Sequence, residues 1–484
     1  MTLTVSRGLP VREAARGHGP WVGLITVVAA VGYTLVGYLE LRGIRAGVLD
    51  LAIFDQGVRS YSEFRLPESV TKEYLDGFHD EGFSLLGDHW SPILALLAPL
   101  YWLNDGPLSL LFAQGVLFAL AAPPLWLFTR RRLGAASAYL VSVAYVVCWP
   151  VAQAVEFDFH EVAFAPPLIA WMVERYDAGR VRTALLMGGL LLLTKEDMGL
   201  VIAGFGLYLA ARGRWRSGLL LVGGGVAAVL VATKVLIPFF GGRDGFYWRY
   251  EDLGDGPFSA LVHVLTHPVR TLALLGTPPD KLVTGWLLLM VLGACLLSPL
   301  ALLSLPLLAE RMLSSYPHWW GVPFHYNAFL AIPLFLAAVD GIARFGPRTR
   351  VTWAAGVLAT GLVTAPLFAY GTIARTELGP EPAYVAVARR AVAAVPPGPM
   401  VAAALPVGAS LTARNPVILW EPAPAYENPP WIVAFTRWKT TPFDRVEDQV
   451  AEVERLRSTG YRTVFDEGGF VVLHRPQEAP TPVS

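Results

Sequence analysis

The sequence predicts an α-helical polytopic membrane protein with about 11 spans and a small soluble α/β domain at its C-terminal end. Three observations support this fold class. Hydrophobic residues make up 54% of the 484 residues, and 16% are charged, whereas a soluble domain carries roughly 25% charged residues. Apolar segments of helical length recur between residues 21 and 371. From about residue 372 the apolar runs become short and charges become frequent.

The net charge of the chain is zero, so the composition gives no indication of a nucleic-acid partner. The distribution of the charges is more informative. Clusters that consist almost entirely of arginine alternate with clusters that mix acids, histidines and single cations. The arginine clusters lie at 130–132, 175–182, 212–216 and 344–350. The mixed clusters lie at Asp55, 88–89, 156–161, 195–197, 310–311, His318 and 325–326.

Arginine-rich loops stay on the cytoplasmic side of a membrane. This rule predicts a plasma (inner) membrane protein with a cytoplasmic N-terminus, residues 1–20, and all mixed clusters on the opposite face. An odd number of crossings then places the C-terminal domain outside the cytoplasm. Because ionisable groups inside a membrane protein mark functional sites, the shared face of the mixed clusters predicts a site there.

The membrane domain, residues 21–371, is predicted to begin with a signal anchor at 21–41 and a long external loop at 42–106. Within this loop the apolar stretch Ser91–Leu103 is too short to cross and predicts a helix in the membrane interface. A second external loop at 241–281 contains a peripheral helix, Phe258–Leu275, interrupted at Pro268. Segment 282–309, broken by prolines, predicts two short helices. Further spans are predicted at 107–128, 133–151, 162–174, 183–194, 198–211, 217–240, 326–343 and 351–370.

The C-terminal domain, residues 372–475, shows short alternating elements and a hairpin signal at 467–469. It has no phosphate-binding glycine loop. The tail from 476 to 484 is predicted to be disordered. Helices are predicted at 384–395 and 446–458, and strands at 400–404, 417–420, 432–435, 461–466 and 470–474.

Two candidate site residues lie in the first external loop. Asp55 follows the first span, where a carboxylate can act as a general base towards a hydroxyl or can hold a metal. A helix-capping or solvated acid is the simpler interpretation. In Asp88-His89-Trp90-Ser91-Pro92, either Asp88 or Ser91 can cap the following helix. That interpretation leaves His89 unexplained.

The segment from Glu156 to Glu161 places Glu156, Asp158 and His160 on one face of an extended chain. Glu156 and Asp158 are candidate ligands for Mg²⁺ or Mn²⁺, and Asp158 and His160 are candidate acid–base or substrate-binding groups. The spacing matches no strict metal signature, and a hydrated loop cap remains the alternative, especially for Glu161.

Single cations supply the candidate phosphate contacts. Lys195 can neutralise a phosphate as a point charge, or it can belong to an internal ion pair with Glu196 and Asp197. Arg249, Arg311 and His325 add positive or titratable groups on the same predicted face. Tyr326 and the neighbouring tryptophans at 319–320 belong either to an interfacial aromatic belt or to a surface on which a sugar stacks.

Several motifs resemble, in order, those of a bacterial family of multi-pass membrane proteins that carry a domain of unknown function and are related to GT-C glycosyltransferases. The resemblance covers roughly residues 20–475. The motifs are Phe54-Asp55-Gln56, His89-Trp90-Ser91-Pro92-Ile93-Leu94, Phe157-Asp158-Phe159-His160, Thr194-Lys195-Glu196-Asp197, and the stretch from Ser298-Pro299 through Ala309-Glu310-Arg311 to His325-Tyr326-Asn327.

The resemblance implies a GT-C-like fold and a sugar donor linked to polyprenyl phosphate. An acid in the first external loop of such enzymes serves as base or binds metal, and Asp55 occupies that place here. The paired acidic motif of several GT-C branches is absent around Asp55. We therefore expect a glycosyltransferase that acts on an external glycan, lipid or protein acceptor amid membrane lipids. The alternatives are a transporter or flippase of a lipid-linked solute, and a non-catalytic envelope scaffold.

Overall fold

The computed structural model describes residues 17–75, 83–243, 248–278, 281–377, 381–422 and 429–476. Residues 1–16 of the predicted cytoplasmic N-terminus and residues 477–484 of the predicted tail lie outside these residues. Helices of the first half are α1 (Gly19–Arg42), α2 (Asp50–Ser62), α3 (Val70–Tyr74), α4 (Ala98–Tyr101), α5 (Pro107–Ala119), α6 (Ala122–Leu133), α7 (Ala135–Val146), α8 (Trp149–Glu156), α9 (Ala165–Asp177), α10 (Val181–Leu191), α11 (Gly199–Ala211), α12 (Trp215–Val231) and α13 (Ile237–Phe239).

The second half continues with shorter peripheral helices and ends in the sheet domain. The helices are α14 (Pro257–Thr266), α15 (Pro268–Leu274), α16 (Val283–Met290), α17 (Leu305–Leu313), α18 (Pro317–Trp320), α19 (Ala328–Ile342), α20 (Pro347–Thr364), α21 (Ala369–Glu377), α22 (Ala383–Ala393) and α23 (Val446–Ser458). The strands are β1 (Val401–Ala403), β2 (Val417–Leu419), β3 (Trp431–Phe435), β4 (Arg462–Glu467) and β5 (Phe470–His474).

Four helical stretches of the described chain are long and apolar enough to cross a membrane, and a helix pair bent by 50° would be a fifth. The predicted count of about 11 spans is therefore not confirmed. Helices α9, α10, α11 and α19 have 11 to 15 residues. At 1.5 Å per residue they are about 16 to 23 Å long, which is shorter than a hydrocarbon core of about 30 Å. The four stretches are Gly19–Arg42, Pro107–Leu133, Ala135–Glu156 and Trp215–Phe239, and the bent pair is Pro347–Leu367 with Ala369–Glu377.

Helix α19 forms the axis of the bundle. Fourteen of its 15 residues are buried, and the exception is Asp340 near its C-terminal end. A helix that is apolar on all sides requires neighbours on all sides, and α19 packs against α6, α9 and the 3₁₀ turns at 294–303. The predicted span at 326–343 is thus confirmed as a helix, although its surroundings are protein rather than lipid.

The predicted peripheral helices are present and are broken where the prolines lie. Residues 92–97 form a 3₁₀ helix that continues into α4, and α14 and α15 meet at Pro268. Segment 282–309 contains α16, two 3₁₀ turns and the start of α17, because Gly293 adopts a left-handed conformation and Pro299 and Pro306 interrupt the helical hydrogen bonds. The prediction of two helices there was too simple.

The arginine clusters at 130–132 and 175–182 meet at one end of the bundle. Arg131 binds Glu174 at 2.5 Å, and Arg132 binds Asp177 and Asp340, each at 2.5 Å. These contacts join the ends of α6, α9 and α19. The alternation in the sequence therefore does correspond to a spatial separation, because no residue of this arginine network lines the cavity described below. Which end faces the cytoplasm stays a prediction.

The C-terminal residues form a five-stranded sheet with strand order β2-β1-β3-β5-β4. Strand β1 pairs in parallel with β2 and β3, whereas β5 is antiparallel to β3 and β4. The elements predicted from the sequence agree with this domain to within one or two residues, and helix α23 agrees at both ends.

The sheet domain packs on the segment that leads into α2. The backbone N–H of Val48 donates to the carbonyl oxygen of Leu405 at 3.0 Å. Further along α2, the Gln56 side-chain amide donates to the Val417 carbonyl at 3.1 Å. The hydroxyl of Thr71, in α3, donates to the same oxygen at 2.7 Å. Helix α2 is therefore fixed between the membrane domain and β2, which determines the direction in which its side chains point.

Candidate active site

A cavity of about 890 Å³ lies where the mixed clusters converge. Its walls come from the N-terminal turn of α2, the chain between α10 and α11, the end of α12, helix α14, and the chain from α17 to α19. Seven of the predicted substrate-binding residues line it, namely His89, His160, Lys195, Arg249, Arg311, His325 and Tyr326. The structure therefore brings these sequence-distant residues together around one cavity, and their roles in binding stay predictions.

Helix α2 presents Asp50 to this cavity. The Asp50 side chain is 38% exposed, and one of its carboxylate oxygens lies 3.6 Å from Nε2 of His160. Ile53 and Phe54, one turn further on, line the same wall. Burial acts to raise the pKa of Asp50, but His160, Lys72 and Lys195 outweigh it and lower that pKa overall. Asp50 is therefore an ionised, accessible acceptor at neutral pH.

Asp55 does not reach the cavity, so the predicted position of the catalytic acid requires correction. Five residues along a helix correspond to a rotation of about 140°, which carries Asp55 away from the side of Asp50. Its side chain is fully buried, accepts a hydrogen bond from the Tyr101 hydroxyl at 2.7 Å, and pairs with Arg59 at 2.9 Å. Its contacts join α2 to α4 and are structural.

Asp158 supports the start of α2 from outside the cavity. Both of its carboxylate oxygens accept from the backbone N–H of Gly47, at 3.1 and 3.2 Å. Burial and then the nearby Asp50 raise the pKa of Asp158 to about 7. The residue thus lies beside the predicted site, but it contacts the backbone that precedes Asp50 and does not line the cavity.

This environment makes the stability contribution of Asp158 depend on pH. In the unfolded chain the carboxyl ionises near pH 4, whereas in the fold it keeps its proton until about pH 7. We expect the stability of the wild type relative to Asp158→Asn to fall as the pH rises from 4 to 7, by about 1.4 kcal/mol per unit at most, and then to level off. Denaturation of both proteins in detergent across this range measures it. A stability difference between the two proteins that stays constant from pH 4 to 7 would contradict a raised pKa of Asp158.

Two histidines form a stacked pair on the polar floor of the cavity. The rings of His160 and His325 have centroids 3.5 Å apart. Burial lowers the pKa of His160, but Asp50 reverses this and raises it overall. Burial, together with the charge of His160, lowers the pKa of His325. These opposite shifts in pKa favour protonation of the ring next to Asp50 over protonation of His325.

The Lys195 cluster forms buried ion pairs that extend beyond the cluster itself. Lys195 donates to Glu161 at 2.7 Å, and Glu161 is fully buried. Glu196 accepts from His89 at 2.8 Å and from the backbone N–H of Trp90 at 3.2 Å. Burial acts to raise the pKa of Glu196, but His89 and Lys195 lower it to about 2. Lys195 therefore belongs to an internal ion pair, which was the alternative to a phosphate contact. Its partner is Glu161, whereas the sequence suggested Glu196 and Asp197.

Arg311 adjoins the Lys195 cluster through Asp197. It is 3.5 Å from Asp197, donates to the Tyr326 carbonyl at 2.9 Å, and lies over the Phe329 ring. Nearby, the Tyr250 hydroxyl donates to Glu310 at 2.6 Å. Tyr326 lines the cavity and contacts His325, with ring centroids 4.1 Å apart, so it is placed to contact a ligand.

The other half of the cavity is apolar. Its walls come from the end of α12 and from α14, and they include Val229, Leu230, Leu261 and Val264. Leu230 and Leu261 are also 47% and 55% exposed. This half therefore opens towards the outer surface of the helices, whereas the polar half is enclosed by charged groups.

The predicted metal site does not fit the donors present. Among the described residues, no three His, Cys, Asp or Glu side chains come together in a way that could hold a metal ion. Asp158 is directed to Gly47, and Glu156 ends α8 without lining the cavity. Because Mg²⁺ requires several oxygen ligands in near-octahedral geometry, no step below uses a metal.

Asp50 is the residue that the sequence analysis missed. A signal was present, because Leu51, Asp55 and Val58 follow helical spacing and form one buried stripe. That stripe assigns Asp55 to the interior and Asp50 to another face. The sequence analysis assigned no partners to Glu161 and Glu310. Their partners, Lys195 and Tyr250, lie more than 30 residues away in the chain, and local spacing does not predict such contacts.

Comparisons with known proteins agree with this architecture. A family model described as "Predicted membrane protein (DUF2079)" matches residues 42–472. No curated protein shows a significant match. The crystal structure of ArnT from Cupriavidus metallidurans bound to undecaprenyl phosphate is similar with a TM-score of 0.55, over 96% of this chain and 99% of that chain. The identity is 14%, so the similarity is one of fold.

Proposed function

Because the chain belongs to the family of predicted membrane proteins described as DUF2079, and because its fold resembles that of GT-C glycosyltransferases, we propose that it is a membrane glycosyltransferase. It moves a sugar from a polyprenyl-phosphate donor to an acceptor in the cell envelope. The observation that carries the proposal is the cavity, which joins an apolar half to a charged floor with an accessible carboxylate.

The two halves suit the two parts of such a donor. The polyprenyl chain lies along the apolar walls at Leu230 and Leu261, where burying its surface is favourable by roughly 25 cal/mol per Å². The sugar phosphate lies over the floor, where Arg249 and Arg311 are positioned to balance its charge. ArnT, which has a similar fold, was crystallised with a lipid of this type.

Asp50 serves as the base in the transfer step. The acceptor hydroxyl attacks the anomeric carbon of the sugar as its proton moves to Asp50. The bond between that carbon and the phosphate oxygen breaks, and the carrier leaves as polyprenyl phosphate. The acceptor becomes a stronger acid as the new bond forms, so a carboxylate with a low pKa can accept the proton. His160 holds Asp50 in its ionised form.

The arginine network supports an orientation in which its end of the bundle lies in the cytoplasm. With that end of the bundle in the cytoplasm, the cavity and the sheet domain face outwards, where lipid-linked sugars meet envelope acceptors. The sheet domain holds α2 from that side through Leu405 and Val417.

Transfer of a labelled sugar tests the proposal. The purified protein in lipid nanodiscs receives polyprenyl phosphates that carry different radiolabelled sugars, together with envelope glycans and lipids as acceptors. We expect label to leave one donor and to appear in an acceptor. Movement of the intact labelled lipid between leaflets, without loss of the sugar, would instead support the transporter hypothesis.

A further inference from the structure

Lys234 occupies an unusual position in an apolar helix. It is the only Lys, Arg, Asp or Glu between Arg216 and Arg243, and the stretch Trp215–Phe239 is one of those that can cross a membrane. Ionisable groups in such segments are costly, and they are found where they face a cavity or a partner. Lys234 follows this rule, because it lines the same cavity as Asp50.

The helix changes its geometry at this lysine. Residues Ala232–Leu236 form a π-helical turn between α12 and α13, with Lys234 at its centre. Such turns insert an extra residue and are frequent at functional sites, because they redirect side chains without ending the helix. Thr233 and Lys234 both line the cavity, although consecutive residues of a regular helix point about 100° apart.

Lys234 lies at the junction between the apolar and the polar half. One turn before it, Val229 and Leu230 form the apolar wall, and Leu261 and Val264 of α14 also line that half. After it, the chain leads to Arg243, a further cation that lines the cavity. A lipid with a charged head would therefore place its phosphate at the level of Lys234 when its chain follows these walls.

Lys234 and Lys195 differ in the acids that their own chain segments carry. Lys195 is paired with the buried Glu161, and Glu196 and Asp197 act on it as well. A phosphate brought to Lys195 would have to approach these three carboxylates. The segment 217–242 that carries Lys234 contains no Asp or Glu, and Asp255, which precedes α14, is a further acid that lines the cavity. An ammonium group has three donors, so Lys234 can bind a phosphate oxygen while it keeps a protein contact.

We propose that Lys234, presented by the π-helical turn, binds the phosphate of the polyprenyl carrier at the boundary between the apolar and polar halves of the cavity. This inference rests on the proposed function for the identity of the ligand. It replaces Lys195 as the principal lysine contact and assigns the helix α12 to the recognition of the donor.

Binding of undecaprenyl phosphate to the purified protein in nanodiscs, without sugar or acceptor, tests this. Loss of one charge-assisted contact is expected to weaken binding about 10- to 100-fold in Lys234→Met. Lys234→Arg should retain most of the affinity. Arg216→Met removes a cation from the other end of the same helix and should bind as the wild type does. Thermal unfolding of each variant confirms that it is folded.

Two further ligands show which part of undecaprenyl phosphate the protein recognises. Undecaprenol, which lacks the phosphate, should bind more weakly than undecaprenyl phosphate and should be insensitive to Lys234→Met. Inorganic phosphate should not compete at millimolar concentration, since it lacks the chain. Equal affinity of wild type and Lys234→Met for undecaprenyl phosphate would overturn the inference, as would failure of the wild type to bind it. Tight, Lys234-dependent binding without sugar transfer would leave the inference standing and count against the glycosyltransferase.

Discussion

Asp50→Asn is expected to lower the rate of sugar transfer by about 10²- to 10⁴-fold, which is the usual contribution of a general base. The amide has nearly the same shape as the carboxylate but cannot accept the proton of the acceptor. The side chain is 38% exposed, and its ion pair is with His160, so the fold should tolerate the change. The measurement is turnover per folded molecule in the labelled-sugar assay.

Asp55→Asn provides the matched control on the same helix. It removes the charge that pairs with Arg59 and weakens the contact with Tyr101, so we expect a lower unfolding temperature. The molecules that remain folded should turn over at nearly the wild-type rate. The reverse pattern, with Asp50→Asn active and Asp55→Asn folded but inactive, would return the catalytic role to Asp55.

Lys195→Met is expected to reduce the stability of the protein by about 3–5 kcal/mol. The substitution leaves the fully buried Glu161 carboxylate without the ammonium that lies 2.7 Å from it. An uncompensated charge in such a place costs more than the ion pair contributes. Unfolding in a graded series of denaturing detergent measures the change.

The double variant Lys195→Met/Glu161→Gln distinguishes this structural role from a role in substrate binding. Removing both charges should restore most of the stability, because neither partner is then left alone. If the double variant is as unstable as Lys195→Met, the pair does not account for the loss. If it is stable but binds undecaprenyl phosphate far more weakly than the wild type, Lys195 contacts the phosphate after all.

The arginine clusters and the mixed clusters could be predicted to lie at opposite ends of the bundle. The reason is that arginine-rich loops stay on the cytoplasmic side of a membrane. Mixed clusters such as 156–161 and 195–197 are joined to arginine clusters by single apolar segments, so the two kinds of cluster are expected at opposite ends of the bundle. The C-terminal domain was predictable for a different reason, since the predicted strands at 432–435 and 470–474 combine short length with high apolar content.

The number of spans could not be derived in the same way. Segments such as α10 and α19 are as apolar as a spanning helix but are too short to cross alone. Hydropathy measures transfer from water and does not distinguish lipid from protein as the apolar neighbour. The buried surroundings of α19 follow only from packing with α6 and α9.

The roles of individual residues in the site could not be predicted in full. They depend on which face of a helix enters the cavity and on contacts between residues that are distant in the chain. Asp50 and Asp55 are both acids near the start of one helix, and their separation by 140° decides which of them meets the cavity. Lys195 and Glu161 are 34 residues apart, and their pairing requires the tertiary fold. Lys234 was concealed within an apolar run, where its significance depends on the π-helical turn.

The most direct test of the central claim is a cryo-EM map of the protein with undecaprenyl phosphate. We expect continuous density for the lipid chain between α12 and α14, and a phosphate in the cavity that Asp50, Lys234 and Arg311 line. Lipid density confined to the outer surface of the helices, with the cavity closed to it, would contradict the claim that the mixed clusters form a site for a lipid-linked donor.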